Sequence, residues 1–529
     1  MRKEQANIFQ NASYRIRNTK KLNSKLHREK YIHIHDNEYN GVTYNCIGIT
    51  FTPKEYKEVD KIENLELNLE KLFQEIVYLT NEQSGGIGYI NIDEDLATIF
   101  DNVPLNKAIN SIRRLFKKLN LPLRNGYERA YVSFNLGLET SSGGKKVTEA
   151  FLKGLELGDL ETGEPFIFPN IIFKIKNGIN LNKEDENYNL LKLALKVSGV
   201  RMNPTYFNCD SIYLNNINSK NIGIMGCRTL LTKNINGTEG AKNRGNIASI
   251  SINLPKIAKE SKNKKEFFKN LKSICIKSKN ILLKKYNTLC SLDIENFNYI
   301  LRNKLYLGID ENNVNLRKIF SNGSLSIGFI GLFDCIEYLT GEKLNYQTII
   351  KNIELGEEIL KFMRELTDTW TKKYHLNFSL LASSGEGISG RFAEEDSNKE
   401  FYTNSFHIPV YIDINPFEKL DIEGKFLKYC NGGEISYIEF QTPILVNSEA
   451  IFDIIKYGIE QEHIYLGINF PLDYCLDCKT TGIFLEDHCT KCNSKNIKKL
   501  RRVSGYLSTK ENLSKGKKAE EKMRVAHIK

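Results

Sequence analysis

The 529-residue chain has no long apolar run and no export signal. No stretch approaches the length of about eighteen apolar residues that a membrane-spanning helix needs. The N-terminal residues Met1–Gln5 are mostly charged or polar, whereas a secretory signal has an apolar core. These absences exclude a transmembrane helix and predict a cytoplasmic protein without membrane contacts.

Internal repeats are also missing, and no linker rich in proline, glycine or serine occurs before about residue 465. We therefore predict one large unit over residues 1–465 and a separate C-terminal unit over residues 466–529. The first unit is larger than a usual single-core domain. A barrel, or two sheets with long insertions, would accommodate a unit of this size.

Apolar residues in the first unit follow the periods of strands and helices in turn. Leucines and isoleucines at positions 65, 69, 72, 76 and 79 form one helical face. This alternation predicts an α/β fold with much parallel pairing. The strand-like runs are 31–36, 44–51, 166–176, 247–254, 325–332 and 407–414, and further helical stretches lie near 188–200, 264–286 and 346–376.

The net charge of +11 suits a polyanionic ligand such as a nucleotide or nucleic acid. The lysines responsible for it are scattered through a sequence rich in Lys, Asn and Ile. Such a bias is typical of AT-rich coding sequence, so the charge by itself does not decide between classes of ligand.

Two C-x-x-C pairs near the C-terminus form the strongest metal signal. Eleven cysteines in a chain without an export signal favour metal binding or catalysis over disulfides. Four thiolates can close a tetrahedral site, with Zn–S distances of about 2.3 Å, and leave no position open for water. The predicted role is therefore structural, and a rubredoxin-like iron site would have the same ligands. The four predicted ligands are Cys475, Cys478, Cys489 and Cys492.

A zinc ribbon on its own is typical of a nucleic-acid-binding module. This interpretation explains the cysteines and the basic residues that follow them, but not the ordered sequence after those. It stands as an alternative function from a different class of protein. The basic residues concerned are Lys495, Lys498, Lys499, Arg501 and Arg502.

The segment Arg502-Val503-Ser504-Gly505-Tyr506 resembles the R-V-x-G-Y loop of glycyl-radical enzymes. A radical on a glycine Cα is stabilised jointly by the flanking amide nitrogen and carbonyl, and a Cβ would crowd the planar centre. Taken alone, the same residues also fit an ordinary glycine turn.

The order of motifs along the chain resembles that of the anaerobic, class III ribonucleoside-triphosphate reductases. After the glycine loop, the tail continues with the pattern G-K-x-x-E-x-x-x-R-V-x-H. The resemblance implies the large α/β barrel of the ribonucleotide reductases and glycyl-radical enzymes, followed by a zinc ribbon and a radical loop. Further matching segments are His33–Asp36, Asn45–Cys46, Gly85–Gly86, Phe166–Pro169, Met225–Thr229, Arg244–Asn246, Ile252–Pro255 and Thr403–Ser405.

The start of the chain departs from many members of this family, which begin with an ATP-cone domain that switches overall activity. Here the first family motif already begins at His33, so we expect no ATP-cone ahead of it. The resemblance still implies nucleoside triphosphate substrates, dNTP or ATP effectors at a separate specificity site, and a homodimer. It implies no direct contact with nucleic acid.

The resemblance also implies a radical relay that reduces ribonucleoside triphosphates to 2′-deoxyribonucleoside triphosphates. A separate iron–sulfur activase would use S-adenosylmethionine to install the radical on Gly505, because this chain has no C-x-x-x-C-x-x-C motif. Cys227 would become the thiyl radical that takes the ribose 3′-hydrogen, and Cys46 would be the second active-site thiol. Formate is the expected reductant, with a thioredoxin-type protein as the alternative. Without these motifs, an isolated cysteine is more often part of a core.

Several polar residues are candidates for contacts with the substrate. Asn246 matches a family asparagine near the substrate, although a turn cap is an equal alternative. Thr229 is expected near the ribose. His33 and His35 share one face of a strand, where they either contact substrate or form hydrogen bonds within the fold.

The substrate phosphates need backbone N–H donors at a glycine-rich turn or a helix N-terminus. Two segments fit this requirement, and each is also compatible with an ordinary capped loop. The two segments are 383–387, with Ser384 and Glu386, and Thr403, Asn404 and Ser405.

Another glycyl-radical enzyme, an acyltransferase or a dehydratase, is the nearest alternative. Those enzymes lack a zinc ribbon before the radical loop, and the dehydratases carry their Gly-Cys motif in a different context. Arg228 and Thr229 after Cys227 therefore favour the reductase.

Overall fold

Two parallel half-sheets, joined edge to edge, form the main sheet of the protein. The computed structural model describes residues 25–37, 42–124, 128–484, 486–502 and 504–527. In chain order its strands are β1 (Ile32–Ile34), β2 (Cys46–Ile49), β3 (Gly86–Tyr89), β4 (Tyr131–Leu136), β5 (Asn170–Ile175), β6 (Thr205–Asn208), β7 (Ile224–Met225), β8 (Thr229–Leu230), β9 (Arg244–Asn253), β10 (Ser324–Ile330), β11 (Asn377–Ala382), β12 (Ser436–Glu439), β13 (Tyr465–Asn469), β14 (Leu472–Cys475), β15 (Thr481–Gly482), β16 (Ile497–Arg502) and β17 (Leu507–Thr509).

The strand order of the main sheet is β11-β10-β9-β2-β3-β4-β5-β6-β13-β12, with β1 paired to β9 beside this path. Strands β2 to β6 run parallel and form one half. The other half consists of the parallel strands β9 to β11 at one edge and the parallel pair β12 and β13 at the other. The halves meet in the antiparallel pairs β2–β9 and β6–β13.

The outer strands β11 and β12 approach each other without a ladder between them in the part of the chain that the structure describes. Gly432 N donates to Leu380 O at 2.8 Å, and Ala382 N donates to Gly433 O at 3.0 Å. These bonds join β11 to the turn that precedes β12. These bonds connect the two outer edges of the sheet without closing a barrel in the described residues. The predicted α/β fold class is confirmed.

Helices connect the parallel strands and flank the sheet. Strands β9, β10 and β11 are buried along their whole length, as expected for parallel strands covered on both faces. In chain order the helices are α1 (Lys25–Arg28), α2 (Lys61–Glu82), α3 (Ile92–Phe100), α4 (Leu105–Leu119), α5 (Ser142–Leu157), α6 (Tyr188–Arg201), α7 (Leu254–Lys259), α8 (Lys264–Cys290), α9 (Asn298–Arg302), α10 (Leu316–Phe320), α11 (Leu332–Thr340), α12 (Tyr346–Lys351), α13 (Ile353–Tyr374), α14 (Ile388–Ala393), α15 (Pro416–Leu427), α16 (Ser448–Glu460) and α17 (Lys515–Met523).

Most predicted elements are confirmed, with shifted ends. The helical face predicted over 65–79 is the buried face of α2. Asp60 caps this helix, because its carboxylate accepts from two backbone N–H groups in the first turn and so satisfies donors that the helix leaves free. The helical stretch predicted near 346–376 is divided into α12 and α13.

The strand predicted at 407–414 is wrong, because this segment forms turns. Ile412 N donates to Pro409 O at 2.9 Å, and the His407 ring lies 2.6 Å from Ile435 O. Pro409 has no N–H to give to a ladder, which disfavours a strand interior. The apolar residues that suggested a strand, Ile408, Ile412 and Ile414, are buried in the core without one.

The C-terminal part forms a second sheet with the strand order β15-β14-β16-β17. Strand β13 still belongs to the main sheet, and the second sheet begins at Leu472. The division into units 1–465 and 466–529 stays a prediction. Among the helices of the described residues, none combines the length and apolar character needed to cross a membrane.

Candidate radical site

A short hairpin carries Cys227 into the interior of the main sheet. Strands β7 and β8 pair through Met225 and Thr229, and Gly226 at the turn has a φ of +59°, which favours glycine. Ser133 on β4 donates to Gly226 O at 2.9 Å. The side chain of Asn135, also on β4, bonds to both backbone groups of Ile224. These contacts fix the backbone beside Cys227.

Glycines on the neighbouring strands leave the space that the hairpin occupies. A Cβ on Gly86 would lie 2.7 Å from Gly226 N, and a Cβ on Gly88 would lie 2.8 Å from Ile224 O. Real Cβ atoms essentially never approach closer than 3.0 Å. Gly86, which the sequence indicated as part of a family motif, is therefore required for packing.

Gly505 lies directly against Cys227. A Cβ built on Gly505 would overlap the Cβ of Cys227 and lie 2.9 Å from its Cα. The next residue, Tyr506, packs against Tyr131 and Phe168, with ring centroids 5.0 and 5.2 Å apart. The structure thus leaves no room for a side chain at position 505.

Within the described residues, the side-chain hydrogen bonds to Ser504 and Gly505 are long. Arg228 donates to Ser504 O at 3.4 Å, Arg502 donates to Gly505 O at 3.4 Å, and Ser504 Oγ lies 3.5 Å from a Glu386 oxygen. Hydrogen bonds of this length are weak. Arg228 is buried and also bonds two carbonyls at the end of β11, so it links the hairpin to the loop around Gly505.

The Cys227 thiol is held in its protonated form. Burial raises the pKa of this thiol above its usual value. Its Sγ lies 3.3 Å from Ser384 Oγ. A protonated thiol keeps the S–H bond that a hydrogen-atom transfer requires, whereas nucleophilic attack needs the thiolate.

Cys46 lies at the start of β2, close to the same hairpin. Its Sγ donates to Asn45 Oδ1 at 2.7 Å, accepts from Gly86 N at 3.2 Å and lies 3.9 Å from Thr229 Oγ1. Burial raises the pKa of the Cys46 thiol to about 12. Cys46 is therefore a second protonated thiol beside the hairpin that carries Cys227.

Two residues next to Cys46 were not singled out as functional from the sequence. The amide nitrogen of Asn45 donates to Asp36, which also accepts from Ser84 Oγ at 3.0 Å. The Asp36 carboxylate thereby orients the Asn45 amide with its oxygen toward the thiol. Both residues lie in segments that match the family, Asp36 in H-I-H-D and Asn45 in N-C, and this match could have indicated a role for them. Only the fold shows that the two segments meet.

Asn246 pairs with Cys46 across the β2–β9 ladder. Its amide nitrogen donates to Ser324 Oγ and Ser326 Oγ, both at 2.8 Å, and its oxygen accepts from Ser249 Oγ at 2.9 Å. The structure brings Asn246 close to Cys46, with its side chain engaged in a buried hydroxyl network. A contact between Asn246 and substrate stays a prediction.

The histidine rings of His33 and His35 are 5.1 Å apart. His35 Nε2 lies 2.7 Å from Ser251 Oγ, which in turn lies 2.6 Å from Ser383 Oγ. Burial lowers the pKa of both imidazoles, so both rings are neutral. His35 is therefore hydrogen-bonded within the fold, in a series of hydrogen bonds that ends at Ser383, the residue before Ser384.

The two segments offered as alternative phosphate sites lie together, because a Cβ on Gly385 would overlap Asn404 Oδ1. The side-chain oxygens of Thr403, Asn404 and Ser405 are buried and have no hydrogen-bond partner within the described ranges. Thr403 and Asn404 line a cavity of ≈ 40 Å³ beside Ser504. A water molecule needs about 10–15 Å³ of such space, so this cavity fits a few waters and no triphosphate. The phosphate role of either segment stays a prediction.

The four C-terminal cysteines converge on one point. Their Sγ atoms all lie within 4.8 Å of one another, and Cys475–Cys492 and Cys478–Cys489 are each 3.6 Å apart. A tetrahedral zinc ion with Zn–S distances of about 2.3 Å requires sulfurs about 3.8 Å apart. The donor set and its geometry therefore fit a structural zinc ion.

The basic residues after the cysteines pack mostly against acidic groups. Arg501 and Arg502 are buried, whereas phosphate binding requires accessible cations. This arrangement disfavours the alternative of a nucleic-acid-binding zinc ribbon. The ion pairs are Lys498–Glu164, Lys499–Asp487, Arg501–Asp473 and Arg501–Glu521.

Comparison with known proteins identifies similar sequences over nearly the whole chain. A family model described as anaerobic ribonucleoside-triphosphate reductase matches residues 1–527. The Haemophilus influenzae protein of that name is 32% identical over 455 residues, which cover 80% of this chain and 62% of the relative. The Escherichia coli protein of that name is 28% identical, over 95% of this chain and 78% of the relative.

A solved structure supports the same fold. The anaerobic ribonucleotide reductase from Thermotoga maritima in complex with dATP and CTP superimposes with a TM-score of 0.66 at 17% identity. The match covers 94% of this chain and 85% of that chain.

Zinc content tests the four-cysteine site. We expect about one zinc ion per chain and loss of that ion in Cys475→Ser, because three thiolates no longer close the shell. The matched control is Cys290→Ser, a half-buried cysteine outside the cluster, which should keep the metal. Elemental analysis of the purified chains measures this, and iron in place of zinc, or retention of zinc by Cys475→Ser, would contradict the prediction.

The alkylation rate of Cys46 tests its buried environment. A thiol with a pKa of about 12 holds about a thousandfold less thiolate at pH 8 than an ordinary cysteine. We expect iodoacetamide labelling of Cys46 to be slow and to keep rising with pH beyond the usual cysteine range. Mass spectrometry measures the rate of Cys46 labelling in the folded and in the denatured chain. A labelling rate that stops rising near pH 9 in the folded chain would contradict the buried environment of Cys46.

Proposed function

The chain belongs to the anaerobic ribonucleoside-triphosphate reductases, a family of oxidoreductases, and we propose that it reduces ribonucleoside triphosphates by a glycyl and thiyl radical mechanism. The products are 2′-deoxyribonucleoside triphosphates. The observation that carries this proposal is the direct contact between Gly505 and Cys227. A second protonated thiol, Cys46, lies beside the same hairpin.

The proposed relay begins with a radical on the Cα of Gly505. This radical takes the hydrogen atom of the Cys227 thiol, so a C–H bond forms as the S–H bond breaks. The resulting thiyl radical takes the 3′-hydrogen of the ribose. The 2′-hydroxyl then leaves as water with a proton from an acid, and Cys46 is the group that we assign to this transfer.

Reduction of the 2′-position needs two electrons from outside the chain. With formate, the sum is formate, one proton and ribonucleotide giving carbon dioxide, water and deoxyribonucleotide. With a thioredoxin-type dithiol, the donor becomes a disulfide and supplies both hydrogens. Formate is our first choice, and the 3′-hydrogen returns from Cys227 in either case.

The relay requires partners beyond this chain. A separate activase, with an iron–sulfur cluster and S-adenosylmethionine, installs the radical on Gly505. The Thermotoga maritima structure contains dATP and CTP, which supports nucleotides as effectors and substrates here. We further propose a homodimer, in which the effectors act at a specificity site. Zinc has a structural role in this scheme.

We propose substrate contacts for the residues near the two thiols. Asn246 and Thr229 belong to this group because both lie close to Cys46. His35 connects to the same region through Ser251. For the phosphates, the candidates are Ser384, Glu386, Thr403, Asn404 and Ser405.

Radical formation at Gly505 is tested by electron paramagnetic resonance. After anaerobic treatment with activase, S-adenosylmethionine and a reductant, the wild-type chain should show a glycyl doublet. Gly505→Ala should show none, because the glycine that would carry the radical is gone and the added Cβ overlaps Cys227. Gly482→Ala is the matched control, since a Cβ there meets only Phe484 at 3.6 Å. A doublet in Gly505→Ala would show that the radical does not lie on Gly505.

Turnover of CTP by Cys227→Ser separates the thiyl step from radical formation. We expect this variant to keep the doublet yet form no deoxynucleotide, because an O–H bond is too strong to lose hydrogen to a glycyl radical. The wild type and Cys290→Ser should both form dCTP, with formate or with a thioredoxin system. Substantial product from Cys227→Ser would exclude Cys227 from the relay, and no product from the wild type with either reductant would contradict the proposed function.

A further inference from the structure

The helix that follows the radical loop packs on the body through a contact between two glycines. A Cβ on Gly516 of α17 would lie 2.6 Å from the Cα of Gly390 on α14, and a Cβ on Gly390 would lie 3.0 Å from the Cα of Gly516. No side chain separates the two backbones. Any substituent at Gly516 would therefore push α17 away from α14.

The end of the tail is held by Glu439, the last residue of β12. His527 N donates to Glu439 O at 2.9 Å, and Glu439 N donates to His527 Nδ1 at 2.9 Å. Burial lowers the pKa of His527 to about 3, so Nδ1 stays free to accept this bond. The Glu439 carboxylate is also paired with Arg524, which lies 2.7 Å from Glu520 of α17.

The same helix is joined to the strand that leads into the radical loop. Glu521 of α17 accepts from Arg501 of β16 at 2.6 Å, and Arg501 also pairs with Asp473 of β14 at 2.7 Å. Residues 515–527, which we name the C-terminal clamp, are thus fastened both to the main sheet and to the chain before Gly505.

The strengths of these contacts differ between the clamp and the loop. The loop's own hydrogen bonds around Ser504 and Gly505 measure 3.4 to 3.5 Å, whereas those of the clamp measure 2.6 to 2.9 Å and include buried ion pairs. Bonds between charged groups at the shorter distances are the stronger ones. The position of Gly505 therefore depends on the clamp as well as on the packing of Tyr506.

We propose that Gly516, Arg524 and Glu439 are positioning residues, which hold Gly505 against Cys227 through the C-terminal clamp. Release of the clamp exposes the radical loop, and docking of the clamp permits hydrogen transfer to Cys227. This inference rests on the proposed function for its link to turnover, while its structural part can be measured without activity.

The test compares Gly516→Ala and Glu439→Gln with wild type and with Lys522→Ala, an exposed residue of the same helix. Alanine favours a helix more than glycine does, so Gly516→Ala strengthens α17 itself and acts through the wedge against Gly390. Before activation, hydrogen exchange of residues 504–512 and trypsin cleavage after Arg501 or Arg502 are measured on the full, zinc-loaded chain. After activation, the glycyl radical per chain and the product per radical are measured.

We expect exchange and cleavage to be about tenfold faster in Gly516→Ala and Glu439→Gln than in wild type and Lys522→Ala, because clamp opening precedes both. The radical yield should be retained, while the product per radical falls by a similar factor. Equal exchange rates and equal product per radical in all four chains would overturn the proposal. A purely structural defect would instead lower zinc content and radical yield together.

Hydrogen exchange of the wild type keeps the proposal testable if both variants fail to fold. Residues 504–508 and 515–527 should then open together at one rate, and independent opening of the two segments would overturn the clamp. If the wild type makes no deoxynucleotide, the proposed function fails, but the exchange and cleavage results still decide whether the clamp controls the loop.

Discussion

The contact between Gly505 and Cys227 imposes its geometry on parts of the chain that are far apart in sequence. A hydrogen atom can pass directly between two residues only when their heavy atoms approach to van der Waals distance, and here a single Cβ at position 505 would already overlap Cys227. Both sides of the contact are built to allow this approach. The Cys227 hairpin enters the sheet over Gly86 and Gly88, and the loop before Tyr506 reaches it from the C-terminal part of the chain.

Burial serves the proposed chemistry at this contact as well as its geometry. A thiol removed from water has a raised pKa because the thiolate loses its solvation, and both Cys227 and Cys46 are in this situation. The protein thus disfavours nucleophilic attack by either thiolate. It keeps the Cys227 S–H bond for the proposed hydrogen-atom transfer and the Cys46 proton for the proposed transfer to the leaving 2′-hydroxyl. Catalytic cysteines that act as nucleophiles need the opposite shift, which the Arg228 guanidinium does not achieve here against the effect of burial.

The sequence predicted the fold class and the four clustered cysteines, because each depends on local spacing or on motif order. The roles of Cys227 and Cys46 stay predictions, although the fold brings both to the same hairpin. The prediction of a strand at 407–414 was wrong, because the apolar residues around Pro409 are buried in a segment that forms turns and pairs with no strand among the described residues. The Asp36–Asn45 pair and the nearness of Gly385 to Asn404 could not be predicted, since each joins segments whose separation only the folded chain defines. The hydroxyl network around Asn246 could not be predicted either, because serines on two different strands, β9 and β10, form it.

The zinc site and the C-terminal clamp hold opposite ends of β16, the strand that leads into the radical loop. Cys475 pairs with Ile497 at the start of β16, whereas Arg502 pairs with Leu507 at its end. Five residue steps of about 3.4 Å along a strand place the metal site roughly 17 Å from the loop. A metal ion at that distance holds the start of β16 and does not contact the loop beyond its end. The clamp returns to the same strand through Arg501, so it controls the end nearest Gly505. The loop can therefore be released for activation by opening the clamp while the zinc site stays intact.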